Sequence, residues 1–161
     1  MNPSYFRIKL PWKEAVERLY HWNGKMPKEV LQTTYARAVE QSIDENGQWK
    51  GSCLYAYENE GWTVFEDLSG FFSTIPAVSW KNYAENNDLI VAGYNDAILY
   101  GEFIMISNGA IQKEFLEIAD MPDEGVNNGE KYMEINSWID VADFVDSDEI
   151  IYSESGAVLI F

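Results

Sequence analysis

Residues 97–118, AILYGEFIMISNGAIQKEFLEI, decide the fold class. Two runs rich in aromatic and β-favouring residues flank Asn108-Gly109, and both turn residues tolerate the positive φ of a type I′ turn. The reading is a hairpin that joins 97–106 to 110–118. A two-residue loop makes Ser107 face Ala110, and unbroken pairing then sets Ile104 against Lys113 and Glu102 against Phe115. On that register Glu102 and Lys113 lie diagonally on one face. Glu102 is therefore read as a cross-strand partner of Lys113 in preference to a catalytic carboxylate.

Outward from this hairpin the same pattern continues. Residues 89–94 pair back through Asn95-Asp96, and 52–57 and 62–68 form an earlier hairpin around Asn59-Glu60-Gly61. A short helix is expected at 79–86. The first fifty residues change period. Pro11 opens a helix in which Trp12, Val16, Leu19 and Tyr20 recur at helical spacing, and Asn23-Gly24 stops it. A second helix is expected from Pro27 to about Ile43, with Val30, Leu31, Tyr35, Ala38 and Val39 as its buried stripe. Residues 5–10 read as a short strand and 121–131 as a polar loop. A late helix at 135–145 has Ile135, Trp138, Ile139, Ala142 and Val145 on its core face, and 157–161 is a closing strand. The expectation is an α+β fold in one domain, 1–161. N-terminal helices pack on an antiparallel β-meander of about five to six strands, with a late helix and C-terminal strand.

Charge is distributed unevenly along this order. The formal net charge is −16, yet residues 1–50 carry eight Lys/Arg against six Asp/Glu. Residues 51–161 carry three basic residues, Lys81, Lys113 and Lys131, against twenty-one acidic ones. Self-repulsion of this kind gives a fold no stability, so it points to solubility or to a cationic partner. On the late helix Asp140, Asp143 and Asp146 follow at threes. Asp146, Asp148 and Glu149 crowd its C-terminal end, where the helix dipole favours cations. These five residues, with Asp67 as an outlier, form the expected partner-binding set. Asp67 has an equal second reading as the side-chain cap of the Leu68-Ser69-Gly70 turn. Glu66 and Asp67 point to opposite faces of a strand and so cannot serve one substrate as an acid/base pair.

Other chemistries lack their residues. Counted from Asp120 as a calcium loop, position 3 is Pro122 and position 12 is Lys131, so the ligand pattern fails. One His and one Cys do not make a zinc site. His21 and Cys53 fall in separate elements and read as packing residues, and no glycine-rich phosphate loop occurs. No catalytic residue, metal or cofactor is expected, and the negative field disfavours nucleic acid. Cys53 alone cannot form an intramolecular disulfide. The N-terminus has no apolar signal core, and no run is long enough to cross a bilayer. A soluble, cytoplasmic protein without a membrane partner is the expectation. Among six tryptophans, Trp49 and Trp80 neighbour turns and are the candidates for exposed anchors, with core packing as the simpler alternative.

Gly61–Gly70 (GWTVFEDLSG), Leu89–Gly109 (LIVAGYNDAILYGEFIMISNG) and Ile111–Phe115 (IQKEF) together resemble immunity-type proteins of bacterial polymorphic-toxin loci. Met26-Pro27 followed by Tyr35 echoes the neighbouring SUKH superfamily. The resemblance implies a small, acidic, cytoplasmic, non-enzymatic protein that blocks a cognate toxin by one-to-one binding. With the charge, the expected partner is a basic toxin, a nuclease above all, because a nuclease must itself present a positive substrate surface. The alternatives are a carboxylate-based enzyme and a regulatory module for a small molecule or peptide.

Overall fold

The computed structural model describes residues 4–129, 134–148 and 154–161. In chain order the elements are β1 (Ser4–Ile8), α1 (Trp12–Asn23), β2 (Lys28–Thr33), α2 (Tyr35–Ser42), β3 (Cys53–Asn59) and β4 (Trp62–Asp67). There follow α3 (Ala77–Ala84), β5 (Leu89–Asn95), β6 (Tyr100–Ser107), β7 (Ala110–Ile118), β8 (Val126–Gly129), α4 (Trp138–Ser147) and β9 (Gly156–Ile160). The class is α+β with antiparallel pairing, but the strands number nine among the described residues, more than the five to six expected. They fall into two compact units: Met1–Phe6 with Ser73–Glu149, and Arg7–Phe72 with Ile150–Phe161. The N-terminal helices belong to the second unit, and the hairpins of 89–118 to the first.

In the unit of Arg7–Phe72 and Ile150–Phe161, four strands run in the order β2-β9-β3-β4. Their register places Val30, Val158, Tyr55 and Glu66 in one row across the sheet. That face carries α2, and Ala38, Cys53, Tyr55, Tyr57, Val64, Leu68 and Val158 form its core. On the opposite face Thr63 donates to the Leu10 carbonyl at 2.8 Å where the chain turns into α1, whose Ala15, Val16 and Leu19 are buried. The expected helix of 27–43 is corrected here. Residues 28–33 are strand β2, and α2 starts only after Thr34, whose side chain accepts from the Arg37 amide at 3.3 Å. Val30 is held by Val158 of the closing strand, a pairing that helical spacing cannot reveal. Leu31, assigned to the buried stripe, is 61% exposed.

In the unit of Met1–Phe6 and Ser73–Glu149, the strands run β5-β6-β7-β8 with a helix on each face. Asn108 and Gly109 have φ of 53 and 74, as a type I′ turn requires, and Ser107 faces Ala110. The register then slips. Ile106 faces Ile111 but Met105 faces Lys113, so Gln112 is the extra residue of a β-bulge. One added residue reverses every side chain beyond it. Glu102 consequently faces Leu116 and Ile104 faces Glu114, both on the α3 side, while Lys113 joins Phe103 and Phe115 on the α4 side. The expected Glu102–Lys113 pair is therefore overturned, because the two residues lie on opposite faces.

Helix α4 also differs from its expected form. Ser137 caps it, accepting from the Asp140 amide at 3.2 Å, so Ile135 lies before the helix. Val141 and Phe144 are its buried residues, and Phe144 meets Phe103 edge-on at 4.9 Å between ring centroids. Ile139, placed on the core stripe by its spacing, is 54% exposed. The helix can approach the sheet this closely because residue 101 is glycine. A Cβ there would lie 2.6 Å from the Trp138 Cα. Trp80, a candidate exposed anchor, is fully buried against Phe6, and Trp49 is half-buried against the α2-face core. Among the described residues no helix is long and apolar enough to cross a membrane.

Candidate functional site

The acidic residues divide into those that hold the fold and those that do not, and the division redraws the expected site. Pro11 and Pro76 precede α1 and α3 and supply no side-chain cap. Carboxylates from the strands do so instead. Glu58 accepts from the Trp12 amide at 2.9 Å, and Glu114 accepts from the Ala77 amide at 2.8 Å. At α4, Glu117 accepts from the Trp138 amide at 2.6 Å, in addition to the Ser137 cap. A negative group at a helix N-terminus satisfies an orphan N–H and opposes the positive end of the dipole. These three glutamates thus do a structural task that residue order alone does not disclose.

The expected partner-binding residues divide in the same way. Asp67 is 8% exposed and accepts from the Gly70 and Phe72 amides, both at 2.9 Å. It is the turn cap, and its burial removes it from a partner surface. Desolvation pushes its carboxyl up, partly offset by those amides. Asp140 accepts from the Asn136 amide at 2.9 Å while Ser137 accepts from the Asp140 amide, a reciprocal arrangement akin to a capping box. Asp148 accepts from the Tyr5 hydroxyl at 2.5 Å. Glu149 lies outside the described residues. Asp146 is exposed and takes only a long bond, 3.4 Å, from the Tyr94 hydroxyl. Asp143 is exposed, and its carboxylate makes no hydrogen bond among the described residues. Asp143 and Asp146 share their face of α4 with exposed Ile139, at spacings of four and three.

Charge follows the structural units more sharply than it follows the halves of the chain. The unit of Met1–Phe6 and Ser73–Glu149 holds three lysines against sixteen carboxylates, a net of −13, and the other unit carries −3. Of those three lysines, Lys113 is 2% exposed, and its ammonium donates to the Asn127 side-chain carbonyl at 2.5 Å. Glu102, 4% exposed, accepts from the Thr74 amide at 3.1 Å and from the Tyr100 hydroxyl.

Two features escaped the sequence reading. Glu66, on the α2 face of its sheet, has one buried carboxylate oxygen without a hydrogen-bond partner among the described residues. Desolvation lifts its carboxyl from the ordinary 4.5 to about 7. The Tyr35 phenol is pushed up by its own burial and then by the Glu66 charge. The apolar spacing of Trp62, Val64 and Leu68 around Glu66 was the available signal. The second feature is a groove of about 860 Å³ lined by Trp12, Leu31, Gln32, Tyr57, Glu58 and Ala157. Its rim depends on Gln32 at φ 53, a break in β2 with no sequence marker.

Among the described residues no group of three His, Cys, Asp or Glu is arranged to hold a metal ion. Comparison with family models, curated proteins and solved structures gives no match.

Proposed function

We propose that this chain is an immunity-type inhibitor that neutralises a basic protein, a nuclease toxin above all, by binding it without catalysis. The acidic unit of Met1–Phe6 and Ser73–Glu149 supplies the binding surface. The observation that carries the reading is the open face of α4. Asp143 and Asp146 remain exposed there around Ile139, after other acidic residues have been taken up as caps and turn anchors. An apolar residue ringed by charge suits an interface in which the carboxylates steer encounter and the buried side chain slows release. The −13 of the unit extends that steering beyond the contact.

The test is charge reversal, read as binding to the products of the genes that flank this one, a basic nuclease domain among them being the expected ligand. Asp143→Lys together with Asp146→Lys is expected to weaken binding by about tenfold or more and to reduce its salt dependence. Ile139→Ala is expected to raise the dissociation rate while leaving the salt dependence unchanged. Unaltered affinity and salt slope in the charge-reversed protein would remove α4 from the interface.

A second reading, a regulatory module for a small molecule or peptide, is supported by the groove beside Trp12. It predicts a saturable change in tryptophan fluorescence with a ligand, absent in Trp12→Phe, and no effect from charge reversal on α4.

A further inference from the structure

The acidic unit holds a groove of about 420 Å³ beside the start of α4. Glu117 lies in it, Pro122 forms an apolar wall, and Asn127 and Asn136 contribute amide groups. Resting on the reading of this unit as the surface for a basic partner, we propose that this groove receives an arginine side chain of that partner.

The chemistry of the lining supports an arginine. Glu117 uses one carboxylate oxygen on the Trp138 amide, and its other oxygen has no hydrogen bond among the described residues. A guanidinium presents a planar set of N–H donors and has no acceptor of its own, so a carboxylate oxygen beside amide carbonyls matches it. Its three methylenes pack along Pro122, as arginine stems do on apolar surface. The two amides are already oriented. Asn127 accepts from Lys113 and donates to the Asn136 carbonyl at 3.2 Å, and Asn136 donates to the Glu134 carbonyl at 3.3 Å. The Asn136 oxygen keeps a second lone pair for a ligand, whereas the Asn127 oxygen is held by the Lys113 ammonium.

Charge complementarity extends beyond the groove floor. The turn between β7 and β8 frames the groove and carries exposed Asp120, Asp123 and Glu124, none hydrogen-bonded through its side chain among the described residues. Lys113 places one ammonium on Asn127 at the inner side of the groove, against the three carboxylates of the turn and that of Glu117. The mouth, where the turn carboxylates lie, keeps a net negative charge.

The probe is N-acetyl-arginine amide, titrated into the full ¹⁵N-labelled chain, with the neutral isostere N-acetyl-citrulline amide as comparator. The expected result is shift changes at residues 115–119 and 122–127 and at the side-chain amides of Asn127 and Asn136, with none from citrulline. Ala119→Lys, which sets an ammonium at an exposed position of the lining, should abolish them, whereas Glu45→Lys, at an exposed position of the other unit, should not. Equal responses to arginine and citrulline would overturn the proposal. Shifts centred on Asp143 and Asp146 would also overturn it, while leaving the acidic surface as the binding face. No response to arginine anywhere on the unit, with undiminished capture of the basic protein, would overturn the groove alone. No response to either would remove both readings.

Discussion

Replacing Glu66 with glutamine should make the protein more stable in alkaline solution and should flatten its pH dependence. The carboxyl sits among Val64, Leu68 and Tyr55 on the α2 face, with one oxygen buried and without a hydrogen-bond partner among the described residues. Burial raises it from 4.5 to about 7. In the unfolded chain it loses its proton near the ordinary value, so between these limits the folded protein binds the extra proton. Stability from this group is fully present below the unfolded value and is lost as pH rises through 7. At about 1.4 kcal/mol per pH unit, the interval amounts to about 3 kcal/mol. Glutamine keeps the shape and never ionises. Urea unfolding followed by tryptophan fluorescence should therefore show Glu66→Gln gaining up to about 3 kcal/mol at pH near 8.5, and little or nothing near pH 4. Asp67 is also raised by burial, but it is present in both proteins, so the difference between their pH profiles isolates Glu66. Tyr35 supplies an independent readout, since its phenol should titrate lower once the Glu66 charge is gone. Parallel stability profiles in the two proteins, from acid to alkaline pH, would refute the reasoning.

Substitutions at two further positions and one deletion probe how the unit of Met1–Phe6 and Ser73–Glu149 is held. Gly101→Ala forces a Cβ to 2.6 Å from the Trp138 backbone and should cost about 1–3 kcal/mol, read as a lower denaturation midpoint. Glu114→Ala leaves the Ala77 amide without its carboxylate at the start of α3 and should cost about 1 kcal/mol; Glu114→Gln, which keeps an acceptor, should recover part of it. Deleting Gln112 removes the bulge but leaves the observed β6–β7 pairs, from Ile106 with Ile111 to Tyr100 with Ile118, in a regular ladder. Cooperative unfolding by circular dichroism is expected to persist, and its loss would show that the bulge itself is needed.

Local chemistry made much of this fold legible. The Glu60-Gly61 and Asn108-Gly109 turns lie where the sequence places them, because left-handed residues in a two-residue loop admit few other structures. The start of α1 and its stop at Gly24 follow from Pro11 and from the glycine's positive φ. For Asp67 one of two equal readings, the turn cap, is the one the structure displays, and the Glu66–Asp67 alternation separates their faces as expected.

What the chain alone does not reveal are the pairings between distant segments. Residues 28–33 carry a stripe compatible with a helix, and only β9, reached at the end of the chain, makes them a strand. Gln112 has no local mark of a bulge, yet it sends Lys113 and Glu102 to opposite faces and undoes the simplest account of both charges. Net charge and its skew toward the later residues were determined by the sequence. Tertiary structure decided which carboxylates are available, because an amide at a helix start takes the nearest acceptor regardless of its place in the chain. Glu58, Glu114 and Glu117 are held in that way, and Asp143 and Asp146 are left facing solvent on α4.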